Sequence, residues 1–161
     1  MNKPTAVAIV GTFDSKGEEH LFLKNRIEGL GLKTLTVNVG TKEPIPFEVS
    51  YDLYASMKKN GKLDDGNRDK AIQSMIHEGV QLIKQLYRGG KIQGMISAGG
   101  GSGTHLCSSI MRELPLGVPK VMVSTVASRD MKHTVGTKDI TMMHSVVDLL
   151  GVNSISGMVL D

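Results

Sequence analysis

Apolar positions along this chain switch between a period of two or less and a period of 3.6. Residues 5–10 (TAVAIV) form a short unbroken apolar run closed by Gly11. That is the pattern of a strand buried on both faces of a parallel sheet. Ser15 and Glu18 have the S-x-x-E spacing of a capping box, which predicts a helix starting there. Leu21, Phe22, Leu23 and Ile27 carry it toward a stop near Gly29 and Gly31. Residues 33–39 (KTLTVNV) predict a second strand. The rhythm then breaks: residues 40–66 are rich in turn formers, include Pro44 and Pro46, and hold only a short helical patch near 51–57. So long an excursion in a small α/β domain is often a functional one. A long helix follows over about 68–87, with Ile72, Met75, Ile76, Val80, Ile83, Leu86 and Tyr87 on one face. Residues 92–97 (IQGMIS) predict a third strand, followed by a glycine loop and a helix to about Arg112. Residues 120–124 (KVMVS) predict a fourth strand, and 127–138 are irregular. The segment 140–150 is apolar nearly all round, apart from Thr141, His144, Ser145 and Asp148, and reads as a last helix.

This alternation predicts a three-layer, Rossmann-like α/β domain, with a mainly parallel sheet of four or five strands flanked by helices. The first strand should lie between the second and the third. Ligands in such sheets bind beyond the C-terminal ends of the strands, where the strand order reverses. Three turns of small polar residues, 11–17, 99–104 and 124–128, fall on that edge and predict one pocket.

The chemistry concentrates in the glycine turns. In Ser97-Ala-Gly-Gly-Gly-Ser-Gly-Thr104 an apolar run ends in glycines and opens a helix. Such a turn aims free backbone N–H groups at one point, at the positive end of the helix dipole, and suits a phosphate or carboxylate. The competing reading is a tight turn that needs glycine for its backbone alone. Gly99, Gly100, Gly101, Ser102, Gly103 and Thr104 are the candidates there, with Gly11 and Thr12 at the end of the first strand. Asp14 suits Mg²⁺ through water or a ribose hydroxyl; otherwise it is a turn or capping carboxylate. Lys16 can pair with a phosphate or remain a solvated lysine. Arg68 opposes the dipole at the start of the long helix, which points to a ligand; its alternative is an ion pair with Asp64, Asp65 or Asp69. Ser124, Thr125 and Ser128 offer hydroxyls that either face a ligand or bond backbone. Lys138 joins the candidates, while its neighbour Asp139 reads as a helix N-cap. An adenine slot would need apolar cover, for instance from Val39, Pro44 or Tyr51.

Composition narrows the classes. With 161 residues the chain fits one domain with a real core. A net charge of +3 without a basic block, three Tyr, three Phe and no Trp argue against a nucleic-acid partner. No apolar run reaches membrane-spanning length, and 1–4 lead straight into a strand without a signal peptide, so a cytoplasmic protein is expected. One cysteine excludes an internal disulfide and fits a reducing compartment. Cys107 reads as packing, the five His show no zinc spacing, and the ten Met look like filler. Neither glycine turn is a Walker loop or a G-x-G-x-x-G dinucleotide fingerprint.

Four stretches together resemble a known family. They are the run GTFDSKG at 11–17, the glycine loop at 99–104, GVPKVMVSTVAS at 117–128 and VGTKDITMMHSVVD at 135–148. They are similar to motifs of the Tm-1-like, UPF0261 family, and they extend over most of the chain. The resemblance implies the N-terminal, Rossmann-like lobe of an ATP-binding domain, with ATP, alone or with Mg²⁺, as the ligand. It implies no known reaction; the plant member that names the family inhibits viral RNA replication. Members usually continue into a second α/β lobe, which is absent here and is expected on a separate chain if anywhere. The chain departs from the family pattern at Ser102, one place later than usual, at Ser15 for Thr and at His144 for Tyr. Two functions are therefore expected: a nucleotide-binding module, or an enzyme acting on a small phosphorylated or carboxylated metabolite. A structural partner domain without a site is a third. The apolar helix expected at 140–150 needs cover on two faces, which predicts a homodimer; the alternative is that 152–160 fold back and cover it within the monomer.

Overall fold

The computed structural model describes residues 5–43, 45–63 and 66–161. Pro44, Asp64 and Asp65, which entered the adenine-slot and ion-pair readings, lie outside the described residues. Six strands form one sheet in the order β3-β2-β1-β4-β5-β6, and every pairing is parallel. The elements are β1 (Ala6–Gly11), α1 (Phe13–Gly29), β2 (Lys33–Asn38), β3 (Tyr51–Asp52), α2 (Leu53–Lys59), α3 (Arg68–Arg88), β4 (Ile92–Gly99), α4 (Gly101–Met111), β5 (Lys120–Ser124), α5 (Lys132–Val135), β6 (Thr141–His144) and α6 (Ser154–Leu160). β1 is central: it is paired from Ala6↔Lys33 to Gly11↔Asn38 on one side and from Ala6↔Ile92 to Ile9↔Ile96 on the other.

The sheet separates two apolar layers, as a doubly covered parallel sheet requires. The larger core holds Ala8 and Val10 of β1 against Met75 and Ile83 of α3 and Ile110 and Met111 of α4. The smaller one, on the other face, gathers Leu23 of α1, Ala98 of β4, Val123 of β5, Leu149 of the segment before α6, and Leu160 of α6. Among the described residues no helix is long and apolar enough to cross a membrane.

The structure corrects the sequence reading at four places. Residues 140–150 are not a helix. Thr141–His144 pair with β5 as an edge strand, from Val121↔Thr141 to Ser124↔His144, and the chain then runs irregularly to α6. Met142 alone of these four packs on the larger core, while Thr141, Met143 and His144 stay exposed, as an edge strand with one covered face should. The case for a homodimer rested on that helix and falls with it. The sheet has six strands rather than four or five, because β6 and the two-residue β3 extend its edges. Ser15 and Glu18 do not form a capping box. α1 begins one turn earlier, at Thr12, and its backbone leaves helical geometry at Lys16 (φ −131°, ψ 34°). Ser15 Oγ bonds back to the Thr12 carbonyl instead, at 3.3 Å.

Asp139 caps no helix either. Its carboxylate accepts from Gly117 N–H at 2.8 Å and from the buried Lys120 ammonium at 2.8 Å, and these bonds, Lys120 first, hold its pKa below the usual carboxylate range. Lys120 also donates to the carbonyls of Pro115 and Val118, at 2.8 and 2.6 Å. This polar knot ties the start of β5 to the start of β6, at the N-terminal edge of the sheet. Lys138, one residue before it, is therefore at the edge opposite the glycine turns.

Candidate functional site

At the C-terminal edge, between the ends of β1 and β4, lies a cavity of about 380 Å³. This is the position where the strand order reverses, so the chain leaves β1 and β4 in opposite directions and opens a crevice. Three helices present their first turns to it. α1 contributes Thr12, Asp14, Ser15 and Lys16; α3 contributes Arg68 and Ile72; α4 and its cap contribute Gly100, Gly101, Ser102, Gly103 and Leu106. Thr41 and Lys42, from the loop after β2, close the remaining side.

The local geometry follows from the residue types. α4 is capped by Gly100, whose missing side chain leaves the first turn without a side-chain cap. The first intrahelical bond is Thr104 N–H to the Gly100 carbonyl, 2.8 Å. The N–H groups of Gly101, Ser102 and Gly103 precede it and have no carbonyl within the helix to bond. A Cβ added at Gly101 would meet nothing within 4 Å, so this residue borders open space. α3 has a full cap: the Asn67 side chain accepts from the N–H groups of Asp69 and Lys70. That frees Arg68 to reach across, and its Nη2 donates to Ser102 Oγ at 3.0 Å, joining α3 to the glycine turn.

Charge around the cavity is uneven. Among the described lining residues there are three basic side chains, Lys16, Lys42 and Arg68, and one carboxylate, Asp14, and the positive ends of helix dipoles add to the cationic side. Asp14 Oδ2 accepts the Thr41 N–H at 3.3 Å, while its Oδ1 is buried without a hydrogen-bond partner. A buried carboxylate oxygen left without a donor is costly and marks a place for a cation, a hydroxyl or water. The Lys16 ammonium donates to the Leu149 carbonyl, so this lysine lines the cavity with its charge held at one side. Ile72 and Leu106 supply the apolar wall between α3 and α4.

Of the residues singled out from sequence, Thr12, Asp14, Lys16, Arg68, Gly100, Gly101, Ser102 and Gly103 meet at this cavity. Gly11 and Gly99 end the two strands just behind it. The third turn does not join it. Ser124 is fully buried, and its hydroxyl shares a 2.6 Å hydrogen bond with that of Thr104, which likewise faces inward. Thr125 backs the glycine turn, donating its N–H to the Gly99 carbonyl at 3.1 Å. Ser128 is exposed beyond it, and Lys138 is at the far edge. Val39 is buried in the larger core and Tyr51 is on the edge strand β3, so neither walls this cavity. Sequence reasoning missed Ser15, Thr41, Lys42, Ile72 and Leu106. The excursion after β2 signalled the loop that carries Thr41 and Lys42, and Ile72 follows Arg68 by one helical turn.

A residue beneath the site was also missed. His20 of α1 is fully buried and lies against the ends of both central strands. Its Nδ1 donates to the Lys16 carbonyl at 2.6 Å, and its Nε2 accepts the Ala98 N–H at 3.2 Å. A carbonyl only accepts and an amide N–H only donates, so the ring is neutral with its proton on Nδ1. Burial pushes its pKa down from the usual 6.5 to about 4. Phe13 packs on the ring at 4.9 Å between centroids. Cys107 is a packing residue: its Sγ lies 3.6 Å from the Val10 carbonyl, and burial pushes the thiol up to about 12. Among the described residues no three His, Cys, Asp or Glu side chains are grouped to hold a metal.

Residues 5–161 match the model of the "Uncharacterised protein family (UPF0261) N-terminal domain". A UPF0261 protein of Clostridium tetani is 39% identical over 99% of this chain and 40% of its own length. A UPF0261 protein of Mesorhizobium japonicum is 40% identical over 96% of this chain and 39% of its own. The tomato (Solanum lycopersicum) "ToMV susceptible protein tm-1(GCR26)" is 31% identical over 96% of this chain and 23% of its own. The chain thus spans about two-fifths of the length of the bacterial relatives. By its matched residues and these identities, the chain belongs to the UPF0261 family and corresponds to that family's N-terminal domain.

Proposed function

We propose that this domain binds a nucleotide, ATP, with its phosphates against the first turn of α4. The observation that carries the reading is the convergence of Arg68, Lys42 and the uncapped N–H groups of Gly101–Gly103 on one cavity. Backbone N–H groups at a helix start and a guanidinium fork are the usual means of holding phosphate oxygens. Arg68 would serve as the fork, already placed beside Ser102. Asp14, which lines the cavity, suits a Mg²⁺-bound water or a ribose hydroxyl. Mg²⁺, when bound, would neutralise part of the phosphate charge. Ile72 and Leu106 offer an apolar surface for the base. Among the described residues, Asp14 supplies the only carboxylate lining the cavity, and the reading is a nucleotide-binding module with or without slow hydrolysis.

A second reading is a small phosphorylated or carboxylated metabolite. It is favoured by the size of the cavity, near the lower end for ligand sites, and by a lining with few apolar side chains.

Gly101→Val is the test. Because a Cβ at Gly101 meets open space, the variant should unfold within about 1 kcal/mol of the parent, the scale of helix-propensity changes. Its branched side chain stands where the phosphate must approach. ATP affinity measured by calorimetry should fall by about tenfold or more, which is ~1.4 kcal/mol or more. Equal affinity in parent and variant would remove the glycine turn as the cradle. Thermal shifts with ATP, inorganic phosphate and phosphorylated sugars separate the two readings, since a ligand that binds only the folded state raises its stability.

A further inference from the structure

We infer that the surface formed by β6, the loop 145–153 and α6 is the docking face for the domain that comes after this one in UPF0261 chains. Met143, Val146, Leu150, Val152, Ile155 and Met158 are all exposed apolar side chains of this short stretch, Leu150 at 78% and Met158 at 73%. α6 carries no charged side chain between Ser154 and Leu160. Its Leu160 and Val159 pack inward on the smaller core, while Ile155 and Met158, three residues apart, make an outward apolar stripe. A helix apolar on two sides is built to be covered on both. β6 adds an edge whose outer hydrogen-bonding groups have no partner strand among the described residues. Val146 holds a left-handed backbone (φ 67°), costly for a β-branched residue, and so keeps its side chain on this surface at 65% exposure.

The family relation identifies the occupant. The matched region belongs to an N-terminal domain, and it covers only 40% of the Clostridium tetani relative, so most of that relative's chain lies beyond it. In such a chain the next domain departs from this face. A tethered domain meets the patch at a high effective concentration, so a modest apolar surface is enough to hold it. The inference rests on the family relation and not on the nucleotide reading.

Hydrogen exchange provides the test. The 161-residue chain is compared with the same chain continued, after Asp161, by the C-terminal region of the Clostridium tetani relative. Amides over 141–158 should exchange about tenfold or more slowly in the continued chain. Replacing both Ile155 and Met158 by Glu, at positions already exposed, should leave the short chain folded and return the continued chain to the faster exchange. Unchanged exchange over 141–158 on continuation would overturn the inference. So would insensitivity to the two Glu substitutions. Light scattering of the short chain at micromolar concentration supplies the remaining outcome. A mass of twice 17.3 kDa, with 141–158 already protected, would give the face to a second copy and overturn it.

Discussion

Gly11→Ala should destabilise the domain by about 4 kcal/mol, although it adds a single methyl group. The expectation comes from one close approach. A Cβ at Gly11 would lie 2.1 Å from Nε2 and 2.3 Å from Cε1 of His20. The ring has nowhere to go. Its Nδ1 is anchored on the Lys16 carbonyl, its Nε2 receives the Ala98 N–H, and Phe13 packs against it. Overpacking costs about 1–3 kcal/mol, and leaving the buried Ala98 N–H without its acceptor adds about 1–3 more. Against the ~5–15 kcal/mol of a typical domain this is a severe loss. Denaturant unfolding of Gly11→Ala, His20→Ala and the double variant checks it. In the His20→Ala background the Gly11 substitution should cost little, because the clash is gone. Costs that simply add would mean that Gly11 serves the backbone or a ligand and not the histidine.

Acidification should weaken the fold from about pH 6.5 downward. His20 is neutral in the folded protein, with a pKa pushed to about 4, whereas in the unfolded chain it has the ordinary 6.5. Below 6.5 the unfolded chain takes up a proton that the native ring refuses, since a protonated Nε2 would face the Ala98 N–H. Stability is therefore lost as the pH falls from about 6.5 to about 4. Each pH unit is worth about 1.4 kcal/mol, so the full loss across this window is about 3.5 kcal/mol. Urea midpoints taken at intervals across this window should fall for the parent and stay nearly level for His20→Gln, whose amide can both donate and accept. Parallel pH dependence in the two proteins would show that other groups set it. Glu28, Glu113 and Asp139 have pKa values lowered by their hydrogen-bonded lysines, Lys24, Lys84 and Lys120, so their contributions disappear at more acid pH.

These two residues also show where the sequence was legible. Long periodic segments such as α3, and apolar runs such as β1 and β5, carry their own evidence, because the pattern of burial is local. The ends of β1 and β4 could be aligned at one edge from strand direction alone, which located the cavity. Gly11 was seen, but its reason was not: the group that excludes a side chain there is nine positions away and reaches it only through the turn of α1. The segment 140–150 was misread because its apolar residues fit a helical spacing as well as a strand followed by a loop. Pairing with β5 decided between them, and no local signal reports that. Ser124 pointed the right way along the chain but the wrong way in space. Its hydroxyl satisfies Thr104 inside the fold, so a polar residue at a strand end was no proof of a ligand contact. Thr41 and Lys42 belong to a loop whose path is set by the Asp14 carboxylate, again a tertiary fact.

The strand order has a kinetic side. β1 finds its first partner, β2, close by in the chain, but its second, β4, only across the separation of Ala6 from Ile92. Within the sheet, β2 and β3 on one side and β5 and β6 on the other meet through the pairing of β1 with β4. The entropy of closing so long a loop must be met before the two halves of the sheet reward each other. Folding is thus expected to wait on a single long-range encounter, in the slower range typical of non-local pairing. His20, which bonds the end of β4 from the helix behind β1, stands where that encounter is completed.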